Sequence, residues 1–185
     1  RAPALSPTAT AFVSPHAGPT GSSSASVTAT ATATPTRTPT PQVDCSVYAA
    51  AALERGKQEQ ANGDDRAATT LQTLVDHCPD AAVATEARYR LAQALADAHR
   101  EADAVSVLAD LIERTPDDDL AAPALFLAAR LQAQLGNQIQ AIDLYRRHLQ
   151  RDTLLAAYAQ RAIGAAYEVL RQPEQAMDAY VAALG

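Results

Sequence analysis

Charge is missing from the start of this 185-residue chain: between Ala2 and Thr36 there is no Asp, Glu, Lys or Arg. Seven of its eleven prolines (Pro3, Pro7, Pro15, Pro19, Pro35, Pro39 and Pro41) crowd into the stretch before Gln42, and Thr28–Pro41 reads TATATATPTRTPTP. Prolines remove backbone donors and favour extended polyproline geometry. A segment this poor in large apolar side chains buries too little area to offset its ordering entropy. Residues 1–43 are therefore expected to form a disordered Thr/Pro/Ala/Ser-rich stalk, open to O-glycosylation where the source organism does that.

Other absences narrow the chemistry. No apolar run approaches the roughly 20 residues a membrane helix needs, so no transmembrane segment is expected in this chain. There is no nucleophile elbow, no Gly-rich phosphate loop and no HExxH pair of zinc ligands. With only Cys45 and Cys78 present, a structural zinc site built around His77 and Cys78 fails on ligand number. The other histidines, His16, His99 and His148, are scattered along the chain. The run Asp117-Asp118-Asp119 reads as a solvated turn whose last Asp caps a helix starting near Leu120, in preference to a calcium site. The glutamates from Glu54 to Glu174 sit where repeat positions face solvent, so none is placed as a glycosidase acid or base. No catalytic residue, metal or cofactor is expected.

From Asp44 onward the composition inverts to Ala and Leu with dispersed charge and only four prolines. All 21 acidic residues lie here against 13 basic ones once Arg1 and Arg37 are set aside, a balance of −8. That sign argues against nucleic acid or an anionic membrane surface as the main partner.

The helical part repeats itself. EADAVSVLADLIERTP (Glu101–Pro116), QIQAIDLYRRHLQRD (Gln138–Asp152) and PEQAMDAYVAAL (Pro173–Leu184) share one amphipathic pattern, and DRAATTLQTLVDHCP (Asp65–Pro79) is a looser copy. Each follows another helical stretch and a short polar turn: Asn62-Gly63-Asp64, His99-Arg100, Gly136-Asn137 and Arg171-Gln172. The alanines Ala67, Ala104, Ala141 and Ala176 recur at about 35 to 37 residues, close to a two-helix unit. A small residue there lets two helices approach closely, while Leu108, Tyr145 and Tyr180 fill the space one turn later.

These residues resemble the tetratricopeptide repeat family, which places Leu, Gly and Tyr in the first helix of each unit, Ala and an aromatic in the second, and a closing Pro. The last unit matches through Ile163, Gly164, Tyr167, Ala176, Tyr180 and Ala183; the second through Leu91, Ala92, Leu95, Ala104, Leu108, Leu111 and Pro116. The third keeps Gly136, Ala141 and Tyr145 but has Ala128 and Ala129 where Leu and Gly are usual, and the first departs most. The resemblance implies an all-α chain: an α-solenoid of about four helix hairpins over 44–185, with units near 44–79, 81–116, 120–152 and 154–185. It also implies a concave groove lined by the first helices, which holds a protein or peptide. Carried over position by position, the groove-facing residues are Glu86, Tyr89, Gln93, Phe126, Arg130, Tyr158, Arg161 and Glu168. The aromatics among them either face a partner or pack between adjacent helices. The Lys/Asn pattern that clamps a partner's terminal carboxylate in some members is absent.

Cys45 would open the first helix of the first hairpin and Cys78 would close the second, so the two ends are neighbours. A bridge there suits an oxidising compartment; the alternative is two free cysteines. The expected function is a non-catalytic protein-binding scaffold in the bacterial cell envelope, extracytoplasmic and tethered through a signal or lipid anchor upstream of Arg1. A second reading is similarity to the superhelical, non-catalytic region of soluble lytic murein transglycosylases, which implies peptidoglycan association and a catalytic domain downstream. A third is a Tol-associated or outer-membrane assembly lipoprotein.

Overall fold

The computed structural model describes residues 44–152 and 154–185; the stalk expected over 1–43 lies outside them. The described residues form eight helices: α1 (Cys45–Ala61), α2 (Arg66–His77), α3 (Ala84–Asp97), α4 (Glu101–Arg114), α5 (Ala121–Gln134), α6 (Gln138–Leu149), α7 (Ala156–Val169) and α8 (Pro173–Ala182). Consecutive helices pack along the whole series. Beyond these neighbours, α1 touches α3 and α5 touches α7, while the second helices α2, α4, α6 and α8 share no comparable contact. First helices therefore draw together on one side and second helices splay apart on the other. That is the curvature of a solenoid in which each repeat meets only its neighbours.

The same turn closes all four hairpins. At the end of each first helix two backbone bonds fold the chain back: Asp64 N–H to Glu59 O with Gly63 N–H to Gln60 O, and likewise from Arg100 and His99, Asn137 and Gly136, and Gln172 and Arg171. This paired pattern needs one residue in the left-handed region. Glycine supplies it at Gly63 (φ 67°) and Gly136 (φ 83°), but His99 (φ 56°) and Arg171 (φ 58°) hold it in the other two turns.

The anchor alanines lie at the helix crossings. Ala104 and Ala141 are fully buried and Ala67 and Ala176 are 3% exposed. Leu71, Leu108 and Tyr145 fill the crossing one turn later, and Tyr180 does so half-buried. Opposite them the first helix carries its smallest residue: Gly56 under Leu71, buried Ala92 and Ala129 in the middle hairpins, and Gly164 under the Tyr180 ring. Gly56 is the counterpart that the sequence hides, because it stands one residue closer to its anchor alanine, Ala67, than Ala92, Ala129 and Gly164 stand to theirs.

Cys45 and Cys78 are joined across the first hairpin, with Cα atoms 5.6 Å apart and 33 residues between them in sequence. Asp44 caps α1, its Oδ1 accepting from the Ser46 N–H. At the third hairpin it is Asp118, not the expected Asp119, that accepts from the Leu120 N–H, at 2.8 Å, and α5 starts one residue later at Ala121. An Asp two residues ahead of the donor closes an Asx turn, which Asp119, adjacent to Leu120, cannot.

Three buried polar side chains interrupt this framework. Glu59, expected to face solvent, is 8% exposed, because it accepts from Arg55 Nε at 2.8 Å and from the Thr70 hydroxyl of α2 at 2.6 Å. The other two replace apolar residues. Arg88, 4% exposed, donates to Asp110 Oδ2 and to the Pro79 carbonyl, both at 3.0 Å, tying α3 to α4 and to the turn before it. His148, fully buried, stands seven residues after Ala141, where Leu74 and Leu111 follow Ala67 and Ala104. Its Nδ1 lies 2.9 Å from the Ala122 carbonyl, and its Nε2 has no partner among the described residues.

The two ends of the array differ. On α1 the face that α3, α5 and α7 pack against their predecessors is exposed at Ala51, Arg55 and Gln58. On α8, Met177 and Val181 are 66% and 63% exposed, as is Leu184 just past its end at 91%, although Met177 occupies the register of Ile142, which is 5% exposed.

Candidate functional site

The side on which the first helices converge contains a pocket of about 420 Å³. From α3 it takes Tyr89, Arg90, Gln93, Ala96 and Asp97; from α5, Pro123, Phe126, Leu127 and Arg130; Gln60 of α1 and Leu155 close its ends. Four of the eight residues expected in the groove (Tyr89, Gln93, Phe126 and Arg130) meet here. They do so because Tyr89 and Gln93, like Phe126 and Arg130, are one helical turn apart on neighbouring first helices.

The other four lie elsewhere. Glu86 is half-buried between Lys57 of α1 (3.2 Å) and Arg90 (3.6 Å), so it is held in an ion-paired link from α1 to α3. Tyr158, 63% exposed, and Arg161 are on the exposed surface of α7. Glu168 and Arg161 both act on the Tyr180 hydroxyl of α8. Partial desolvation, then a hydrogen bond to Glu168, raise its pKa, and the Arg161 charge opposes them. Sequence reasoning missed Arg90, Asp97 and Leu155. Arg90 is adjacent to Tyr89, and a helix leaves adjacent positions 100° apart, so only the width of the pocket brings both into it.

The pocket wall is rigid on the α5 side. Phe126 meets Tyr145 edge-on at 5.5 Å and His148 edge-on at 5.3 Å, geometries that favour the ring quadrupoles. Phe126 thus both lines the pocket and packs against α6. Burial pushes the Tyr145 phenol up from its ordinary value, while the nearby Arg130 guanidinium pulls it down. The two arginines keep donors to spare, although Arg90 is paired loosely with Glu86. Arg130 makes no ion pair or hydrogen bond among the described residues. Arg90 Nε is shielded from solvent without a hydrogen-bond partner, since Glu86 at 3.6 Å is too far for one.

A second depression of about 730 Å³ lies on the side of the second helices, between α4 and α6, walled by Val105, Ile112, Leu144 and Ile139. A third, of about 600 Å³, flanks the Cys45–Cys78 bridge. Among the described residues no three His, Cys, Asp or Glu side chains come close enough to hold a metal ion, and no helix is long and apolar enough to cross a membrane.

No family model matches this chain, and no curated protein does either. Solved structures do match. The crystal structure of MamA is 22% identical with a TM-score of 0.65, over 74% of this chain and 76% of that one. MamA of MSR-1 is 22% identical with a TM-score of 0.64, over 73% and 74%. A double mutant of MamA from RS-1 is 18% identical with a TM-score of 0.65, over 75% and 74%. Identity at this level speaks for architecture, and the helix order, shared turn and small-residue crossings speak for the same one: the described residues adopt the α-solenoid fold of tetratricopeptide repeats.

Proposed function

We propose that this chain is a non-catalytic protein-interaction scaffold whose first-helix face holds a segment of a partner protein. The observation that carries the reading is the pocket between α3 and α5, where two aromatics and two arginines converge on a rigid wall. Tyr, Phe and Arg in a partly desolvated hollow are the residue types that dominate protein interfaces. The likeness to MamA supports the scaffold through the fold it shares. We place the protein outside the cytoplasm, in a bacterial cell envelope, tethered through its Thr/Pro-rich segment. The support for this is the Cys45–Cys78 pair and the uncharged stretch before it.

Site-specific photocrosslinking tests the binding face. A crosslinker at Gln93, in the pocket, is expected to capture a partner that one at Gln140, on the second-helix side, does not. Changing Tyr89, Phe126 and Arg130 together to Ala, with helicity checked by circular dichroism, is expected to abolish that capture. Equal yields at both sites, or an undiminished yield in the triple variant, would refute the assignment of this face.

A further inference from the structure

We infer that the segment held between α3 and α5 is an extended peptide carrying acidic side chains that pair with Arg90 and Arg130; this rests on the groove reading above. The helical part carries a balance of −8, yet this pocket reverses the sign, with Arg90 and Arg130 against Asp97 alone in its lining. Of the arginines elsewhere on the surface, Arg55, Arg66, Arg100 and Arg114 are paired with Glu59, Asp64, Asp103 and Asp110, while Arg147, Arg161 and Arg171 show no ion pair among the described residues and line no such pocket with a second arginine. Arg130 has no such partner among the described residues, and Arg90, though paired loosely with Glu86 at 3.6 Å, has no acceptor there within hydrogen-bond reach of its Nε–H. The Arg90 Nε–H, closed off from solvent, gains an acceptor only when one enters the pocket, and the exposed Arg130 offers the planar fork of N–H groups that a carboxylate takes best.

Side-chain carboxylates are favoured over a chain terminus by the layout. The two guanidinium groups stand on separate helices, so full pairing asks for two acids along one strand of peptide. Tyr89 beside Arg90 and Phe126 one turn before Arg130 offer apolar surface between the two. The predicted ligand therefore alternates acidic and apolar residues. Against the like charge of the domain's body, the two arginines draw such a segment into the pocket.

The test pans a random linear peptide library, displayed with blocked carboxyl termini, on the full 185-residue chain. Enriched sequences are then remade as amidated peptides and measured by fluorescence anisotropy. Peptides rich in Asp and Glu are expected, weakened at least roughly tenfold in the Arg90→Gln/Arg130→Gln protein and by a similar factor between about 0.05 M and about 0.5 M salt. Binding should also vanish in Gln93→Trp, which fills the pocket. Neutral or basic peptides that Gln93→Trp blocks but the arginine variant does not would overturn the acidic ligand and leave the groove standing. Binders that appear only with a free carboxyl terminus would overturn it too. Binders indifferent to Gln93→Trp, or none at all, would remove the groove along with it.

Discussion

Substituting Gly56 by Ala asks whether the solenoid is held by close helix approach or merely by apolar area. A methyl group at Gly56 would lie 2.6 Å from both Cγ and Cδ2 of Leu71. Carbon atoms want about 3.5–4.0 Å, so one of the two must move by about 1 Å. Leu71 cannot supply that movement cheaply, because it is fully buried in the main core cluster. Overpacking of this kind costs about 1–3 kcal/mol, and Ala in place of a mid-helix Gly returns about 1 kcal/mol. The net expectation is a loss of about 1 kcal/mol, read as a lower urea midpoint at unchanged slope. A double-mutant cycle isolates the contact. Leu71→Ala alone should cost about 2–5 kcal/mol, and with Gly56→Ala the pair should cost less than the sum of the two by about 1–3 kcal/mol. If Gly56→Ala is more stable than the parent, or the cycle closes without coupling, α1 and α2 do not cross as closely as the structure has them. Gly164→Ala is the companion case, its methyl 2.5 Å from Tyr180 Cε1. The Tyr180 ring sits half-buried on the last helix, so the damage should stay in α8 and appear there as lost amide protection.

Backbone handedness separates two further substitutions: His99→Gly should stabilise by about 0.5 kcal/mol, relief of about 1–2 from the left-handed residue less about 1 of unfolded-chain entropy. Gly136→Ala should lose about 1 kcal/mol with no atom within 4 Å of the new methyl; calorimetry giving both changes the same sign would refute the shared turn. Asp110→Asn should cost about 1–3 kcal/mol because it strands the buried Arg88 charge, whereas Arg88→Met, which fills the same space, should come within about 1 kcal/mol of the parent in urea. Reducing the Cys45–Cys78 link should lower stability by about 3–4 kcal/mol from loop-closure entropy, and an unchanged melting temperature in reductant would count against it. The Arg66 side chain, then its backbone N–H, bring the Asp64 carboxyl down to about 2 from 3.8. Its contribution to stability is therefore present above 3.8 and lost as pH falls through about 2. An NMR titration should find that midpoint in the parent and a return towards 3.8 in Arg66→Gln.

The fold was legible because its strongest constraint is written in small residues. Ala67, Ala104, Ala141 and Ala176 mark the four crossings in sequence and are buried at all four in the structure. What stayed hidden depends on details that shift the register or contradict residue type. The one-residue-shorter spacing from Gly56 to Ala67 moves Gly56 out of line with Gly164, so counting back from Ala67 by the spacing of the other hairpins lands on exposed Arg55. His148 and Arg88 look like surface residues by type, yet each occupies an apolar position of the repeat, given away only by its distance from Ala141 or Ala104. Of the groove, the turn-spaced pairs Tyr89/Gln93 and Phe126/Arg130 could be placed from periodicity. Glu86 could not, since nothing in its own helix announces Lys57 across the junction.

The bond between Cys45 and Cys78 also decides how the array would respond to being pulled. Tension arriving from residues ahead of Asp44 enters at Cys45, crosses the sulfurs, and leaves through Cys78 towards α3. The covalent path skips α1 and α2, so the first hairpin carries no load and cannot be peeled open from that side. Cut the bridge, and the same tug would unzip α1 first, one turn at a time.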